Sequence, residues 1–239
     1  PAPFRVFKHN DMNSLEIVLK RVNKERKGGV LIVSEGTYGM TGDLAKLDAM
    51  CELKEKYDAR IFVDDAHGIG TMGEKGRGTA AHFGVQEKVD LYFGTFAKSF
   101  ASIGGFTAAD KNVVEWIRYN ARTQVFAKSL PMVYVKTLRK ALQMVRDGDD
   151  RRKRMWDISK KLKDGLRELG YYIGTGESPI CAVFAPIGAE ATEEVGARLV
   201  GYLRKEKNIF TTAVIYPVIP LGMLMFRIIP TAAHSDEDV

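Results

Sequence analysis

Two short stretches of this sequence hold the residue types that could do covalent chemistry. Asp64, Asp65 and His67 follow an apolar run that ends at Val63, and Thr95, Lys98 and Ser99 follow another that ends at Phe93. If both runs are strands of an open α/β sheet, their carboxyl ends open on one crevice, where such sheets bind ligands. A lysine by itself is an ordinary surface residue. The segment Gly94-Thr95-Phe96-Ala97-Lys98-Ser99, running through small residues to Gly104-Gly105, instead puts a lysine on a tight loop beside a carboxylate and an imidazole. An amine that forms a Schiff base, with an acid for the pyridine nitrogen, is what pyridoxal phosphate requires.

The elements that must hold these residues can be read from hydrophobic spacing. Residues 12–24 place Leu15, Val18, Leu19 and Val22 on one helical stripe. Residues 30–33 form a short continuous apolar run, the pattern of a strand covered on both faces. A helix is expected from Asp43 as N-cap, with Leu44, Leu47, Met50, Cys51 and Leu53 on its apolar face. Strands at 60–63 and 91–93 follow, then helices at 113–120 and 131–146. Strands alternating with helices predict a parallel α/β sheet. After Asp150 the pattern changes to a charged helix ending near Leu169, strands at 180–184, 209–214 and 223–229, and a helix at 192–206. The expected division is therefore 1–150 for a large α/β domain and 151–239 for a smaller α+β domain.

The 239 residues are 45% hydrophobic and 28% charged, the balance of an ordinary globular protein. The net charge of +6 does not by itself indicate nucleic acid. Its densest cluster, Arg151 to Arg154 with Lys160, Lys161 and Lys163, is interleaved with Asp157, Asp164 and Glu168, as on a solvated helix face. A surface favouring an anionic substrate or lipid, and with it a peripheral membrane contact, stays open. Cys51 and Cys181 lie far apart among apolar residues and are expected as buried thiols in a reducing compartment, with no metal site. The string Val63-Asp64-Asp65-Ala66-His67 is like a helicase acidic box, but no phosphate-cradling G-x-x-x-x-G-K-[ST] loop accompanies it. Gly68-Ile69-Gly70-Thr71-Met72-Gly73 fits a dinucleotide fingerprint, yet Gly76 and Gly78 follow where a helix should open. A turn-rich loop needing positive φ angles is expected instead. Asp236, Glu237 and Asp238 are expected to start a helix.

Several strings in register resemble the α-oxoamine synthases: Glu35-Gly36-Thr37-Tyr38-Gly39-Met40-Thr41-Gly42-Asp43, Val63-Asp64-Asp65-Ala66-His67-Gly68, Gly94-Thr95-Phe96-Ala97-Lys98-Ser99, Ser129-Leu130-Pro131 and Arg227-Ile228-Ile229-Pro230-Thr231-Ala232-Ala233-His234. The likeness runs through nearly the whole chain. It implies a fold-type I, aspartate aminotransferase-like, pyridoxal 5'-phosphate-dependent transferase. It implies further that Lys98 carries the cofactor and removes the α-proton, that Asp64 pairs with the pyridinium nitrogen, and that His67 bonds the phenolic oxygen. In this reading Asp65 orders the loop; the alternative gives the ring to Asp65 and a turn cap to Asp64. Thr95 is implied as a phosphate ligand, Ser129 as a residue reaching towards the partner's phosphate across a homodimer interface, and Arg227 as the clamp on the substrate carboxylate. Ile215 and Gly39 depart from the arginine and serine common at those positions, and Lys128 from a small residue. The family's phosphate loop, ring-stacking aromatic residue and first strands would lie upstream of Pro1, and the end of the small domain beyond Val239.

Gly176-Glu177-Ser178-Pro179-Ile180 and Tyr216-Pro217-Val218-Ile219-Pro220 look most like bacterial serine palmitoyltransferases. The expectation is a decarboxylating condensation of L-serine with palmitoyl-CoA to give 3-oxosphinganine, CoA and carbon dioxide, in the cytoplasm. The alternatives are a sister synthase, glycine C-acetyltransferase or 8-amino-7-oxononanoate synthase, and a non-catalytic subunit of a heterodimer. Lys98 argues against the last.

Overall fold

The computed structural model describes residues 2–185 and 192–239. The chain divides into two compact units, Pro1–Thr37 with Ala45–Gly148, and Tyr38–Leu44 with Asp149–Val239.

The first unit opens with α1, Met12–Glu25, whose N-cap Asp11 accepts a hydrogen bond from the Ser14 amide and whose Leu15 and Leu19 are buried. β1 (Leu31–Glu35), α2 (Leu47–Lys56), β2 (Arg60–Asp64) and the single turn α3 (Thr79–His82) follow. Then come β3 (Leu91–Thr95), β4 (Gly105–Ala109), α4 (Lys111–Asn120), α5 (Arg122–Val125) and α6 (Met132–Asp147). The sheet runs β1-β2-β3-β4, with the first three strands parallel and β4 antiparallel to β3. β4 was not legible in Gly105-Phe106-Thr107-Ala108-Ala109, which is poor in β-formers. It exists because the loop carrying Lys98 folds back and pairs Gly105 with Thr95.

Two expectations about this unit are corrected. Within this chain β1 is covered on one face where cover on both was expected: Ile32 is buried while Leu31 and Val33 are 54% and 57% exposed. Asp43 does not cap α2, which begins four residues later at Leu47. Residues 38–43 instead close a loop in which the Tyr38 amide donates to the Asp43 carbonyl and Gly42 takes a φ of +79°. That loop packs with the second unit, so its chain direction is not the one a helix from Asp43 needs.

The second unit contains α7 (Asp149–Glu168), β5 (Cys181–Phe184), α8 (Glu193–Glu206), β6 (Thr212–Val214) and β7 (Met225–Ile228). Its antiparallel sheet has the order β5-β7-β6. Ile173, Cys181 and Val183 form one core cluster with Leu162, Leu166, Phe226 and Ile228. Ala182, Ile219 and Met225 form another with Met40 and Val214. Both cysteines are buried free thiols.

The charged helix α7 is a solvated face only in part. Lys153–Asp157 and Lys160–Asp164 make exposed i,i+4 pairs, but Arg152 and Lys163 are buried. Arg152 pairs with Asp149, and the Lys163 ammonium lies between the Gly176 and Ser178 carbonyls at 3.0 and 2.5 Å. Residues 236–238 form a turn whose bonding is that of a helix N-terminus, as expected: the Ser235 hydroxyl accepts from the Asp238 amide at 3.1 Å. The Asp238 carboxylate in return takes the Ser235 amide and hydroxyl at 2.7 and 2.9 Å, the reciprocal half of a capping box.

Candidate functional site

The strand ends of the first unit bring four of the predicted residues onto neighbouring segments. Side chains on a strand alternate between faces, and paired residues on adjacent strands point the same way. Val33, Phe62 and Leu91 are in register, as are Glu35, Asp64 and Phe93. Asp64 and Thr95 therefore lie on the same face, the open one, at the carboxyl ends of β2 and β3. Asp64 is half-buried, and its Oδ1 accepts from the Ala66 amide at 3.0 Å.

His67 sits in the turn that follows. The Gly68 and Ile69 amides donate to the Asp65 carbonyl, each at 3.0 Å, and the Thr71 hydroxyl donates to the His67 carbonyl at 2.8 Å. Beyond it, Gly70, Gly73, Gly76 and Gly78 all have positive φ. The glycine-rich stretch is thus the expected loop and opens no helix of phosphate-binding length.

Lys98 is exposed on the loop between β3 and β4. The loop is held by the Phe96 amide on the Gly104 carbonyl at 2.9 Å, the Ser102 amide on the Phe96 carbonyl at 2.8 Å, and the Ala101 amide on the Lys98 carbonyl at 2.9 Å. Ser99 ties it to the His67 loop by donating to the Ile69 carbonyl at 2.9 Å. The fit there is close: a Cβ on Gly70 would stand 2.5 Å from that of Ser99. The Thr95 hydroxyl donates to the Gly104 carbonyl and accepts from the Ala97 amide, both at 3.2 Å. Its one proton is therefore engaged within the loop.

Ser129 and Lys128 are exposed in the stretch between α5 and α6. Among the described residues no hydrogen bond joins Ser129 to the strand-end cluster, although Leu130 packs 3.2 Å from where a Cβ of Gly104 would stand. Arg227 belongs to β7 of the second unit. Its Nε donates to the Gly39 carbonyl at 2.5 Å, and its own carbonyl accepts from Thr211 at 3.4 Å.

Asp65 orders the surrounding loop, as expected, and does so from a buried position. Its side chain is fully buried and accepts from the Thr79 amide (2.6 Å), the Thr79 hydroxyl (2.6 Å) and the Tyr92 hydroxyl (2.5 Å). Burial pushes its carboxyl above the usual carboxylate range against the pull of these donors. Burial and the Asp65 charge likewise push the Tyr92 phenol well up. Asp65 is thus enclosed by protein donors, and Asp64 is the carboxylate on the open face.

This donor set fits pyridoxal 5'-phosphate: an accessible amine for the aldehyde, a carboxylate for the ring nitrogen, an imidazole and hydroxyls for the oxygens. Among the described residues no group of three or more His, Cys, Asp or Glu could hold a metal ion, and no helix is long and apolar enough to cross a membrane.

Comparison with known proteins gives the same chemistry. The profile of the family "Aminotransferase class I and II" matches residues 2–239. A cysteate-C-fatty acyltransferase of Capnocytophaga ochracea is 46% identical over 236 residues, 98% of this chain and 55% of that protein. A serine palmitoyltransferase of Bacteriovorax stolpii is 37% identical over 233 residues, 98% of this chain and 54% of its own. A serine palmitoyltransferase solved with PLP superposes with a TM-score of 0.88 at 30% identity, over 97% of this chain and 57% of that one. The chain therefore spans little more than half the length of the relatives it matches. Pyridoxal 5'-phosphate is the cofactor that this family membership and these neighbours support.

Proposed function

From the premise that the chain belongs to the aminotransferase class I and II family, as an α-oxoamine synthase-like member, we propose that the whole protein condenses a small polar α-amino acid with a long-chain acyl-CoA. The products are a 3-oxo amine, CoA and carbon dioxide. The observation that carries this reading is the exposed Lys98 on a loop bonded to the His67 loop, beside the strand end that holds Asp64.

When bound, pyridoxal 5'-phosphate supplies an electron sink for the negative charge that proton loss and carbon dioxide loss leave on the amino acid. The rest is done by side chains. Lys98 would hold the cofactor and, as a free amine, would take the α-proton of the amino acid on Nζ. Asp64 would serve the ring nitrogen and keep it protonated, and His67 would bond the phenolic oxygen. Thr95 would bond the phosphate by turning its proton away from the Gly104 carbonyl, and Ser129 would serve the partner's phosphate across the dimer interface. Arg227 offers a planar fork to the substrate carboxylate, with its Nε already fixed on Gly39.

For the amino acid, L-serine is the reading drawn from the motifs, with palmitoyl-CoA as donor and 3-oxosphinganine as product. L-cysteate is the second reading, favoured by the higher identity to the cysteate enzyme, 46% against 37%. The two share the amino and carboxylate groups and differ in a hydroxyl against a sulfonate. The reading includes a cytoplasmic homodimer. The exposed Trp116 and Tyr119 on α4 support a face covered by another copy.

The test uses the full-length protein loaded with pyridoxal 5'-phosphate and palmitoyl-CoA, offered L-serine, L-cysteate, glycine and L-alanine in turn. Release of free CoA and the product mass are read together. Turnover with serine or cysteate supports the reading and chooses between its two forms. Turnover with glycine or alanine alone moves the protein to a sister synthase, and no turnover with any of them sinks the proposal.

A further inference from the structure

We propose that Asp65 is a positioning residue, the centre of a buried clamp with Thr79, Tyr92 and Thr37 that holds Asp64 and His67 in their working places. The proposal rests on the assignment of Asp64 and His67 to the cofactor made above.

The clamp joins four separate segments: Thr37 just beyond β1, Asp65 just beyond β2, Tyr92 within β3 and Thr79 at the start of α3. Its bonds have a direction. Thr79 has one hydroxyl proton, and it points at Asp65 Oδ1 at 2.6 Å. The 2.8 Å contact between the Thr37 and Thr79 hydroxyls must then have Thr37 as donor. Every group around Asp65 is therefore a donor aimed at an acceptor, an arrangement that an ionised carboxylate satisfies and an amide does not.

The backbone leaves the carboxylate no other place. A Cβ added to Gly36, Gly68 or Gly78 would stand 2.2, 2.1 or 2.2 Å from an Asp65 oxygen. The two residues of interest are attached directly to this fixed point. Asp64 is its neighbour in the chain and, on the alternating strand end, faces the opposite way. His67 rides on the turn whose amides bond to the Asp65 carbonyl.

A buried charge is a poor way to gain stability, because apolar side chains of the same volume often do as well. It is an effective way to fix geometry, since only one arrangement satisfies all the donors. The roles assigned to Asp64 at the ring nitrogen and His67 at the phenolic oxygen would both depend on angles that the clamp sets.

The experiment uses the full-length protein loaded with pyridoxal 5'-phosphate, with Tyr92→Phe, Asp65→Asn and Thr79→Ser variants. Tyr92→Phe deletes one donor and keeps the ring, Asp65→Asn keeps the shape, and Thr79→Ser keeps both Thr79 donors. The readouts are the pH titration of the visible cofactor band, kcat and KM for the amino acid, the melting temperature, and the site of borohydride-trapped cofactor. Tyr92→Phe and Asp65→Asn should move the titration midpoint by roughly half a pH unit or more and lower kcat about tenfold, with KM little changed. Thr79→Ser should restore the unmodified values. If Asp65→Asn does not fold, Tyr92→Phe carries the test. Trapping on Lys98 with an unmoved titration and kcat, and only a lower melting temperature, would overturn the proposal and leave the site standing. Trapping elsewhere in the unmodified protein would overturn the site assignment and the proposal with it.

Discussion

Asp65 in the first unit and Lys163 in the second are both buried charges, and the two are held in different ways. In the first unit Asp65 is an anion gripped by two hydroxyls and an amide drawn from separate segments. In the second, Lys163 is a cation held by the carbonyls of one loop, Gly176 and Ser178. That loop is further pinned by the Ser159 hydroxyl on the Pro179 carbonyl at 2.9 Å and by the Ser178 amide on the Gly42 carbonyl at 3.0 Å. Burial disfavours both charges, raising the Asp65 carboxyl and lowering the Lys163 ammonium. The difference lies in what each bond fixes. Side-chain donors converge on Asp65 from elements that otherwise have no local reason to meet. Lys163 shapes a single loop against its own helix.

The comparison can be broken from the Asp65 side first. Asp65→Ala leaves three buried donors without an acceptor, which should destabilise the first unit by about 4 kcal/mol in a denaturant titration of the full-length protein. Gly78→Ala attacks the same cage from outside. A methyl group there stands 2.1 Å from the Tyr92 hydroxyl, on a backbone with φ of +101°. The expected loss is about 3 kcal/mol by the same titration, with the cofactor band altered as well.

Lys163→Met tests the other side. It keeps the length of the stem and strips the two carbonyls of their donor, a loss on the order of 2 kcal/mol confined to the second unit. Its pH dependence separates the two charges. Because Lys163 titrates below the ordinary 10.5 when folded, the unfolded chain binds more protons between the folded value and 10.5. Its contribution to stability is therefore present above 10.5 and lost as pH falls through the folded value. The loss caused by Lys163→Met should shrink on that descent. Asp65 has the opposite sign: raised above 3.8, its contribution is present below 3.8 and lost as pH rises through the folded value. Stability measured against pH for Asp65→Asn and Lys163→Met should thus diverge from the unmodified protein with opposite slopes. As the smallest effect, Lys160→Ala on the exposed face of α7 should leave both melting temperature and turnover unchanged, since exposed pairs are screened.

Much of the candidate site was readable from residue order because its parts are local. Lys98 announces itself by six consecutive residues after a strand, and Asp64 and His67 by their place after another. The helices α1, α6, α7 and α8 carry their own apolar spacing and fell within a few residues of expectation. Asp65 and Lys163 had no comparable signature. Their partners lie 13 to 27 residues away, and nothing in Gly78-Thr79 or Gly176-Glu177-Ser178 marks them as donor or acceptor to a buried charge. The same separation hid β4, whose pairing with β3 depends on the Lys98 loop turning back, and spoiled the Asp43 cap.

The sequence by itself determined the alternation of strands and helices, the lysine loop and the carboxylate and histidine after β2, because each rests on periodicity or a motif within one segment. Only the tertiary structure decided which of two adjacent aspartates faces outward and which becomes the centre of a cage. That choice is set by the parity of a strand end and by hydroxyls arriving from β3 and α3, both of which exist only once the sheet has formed.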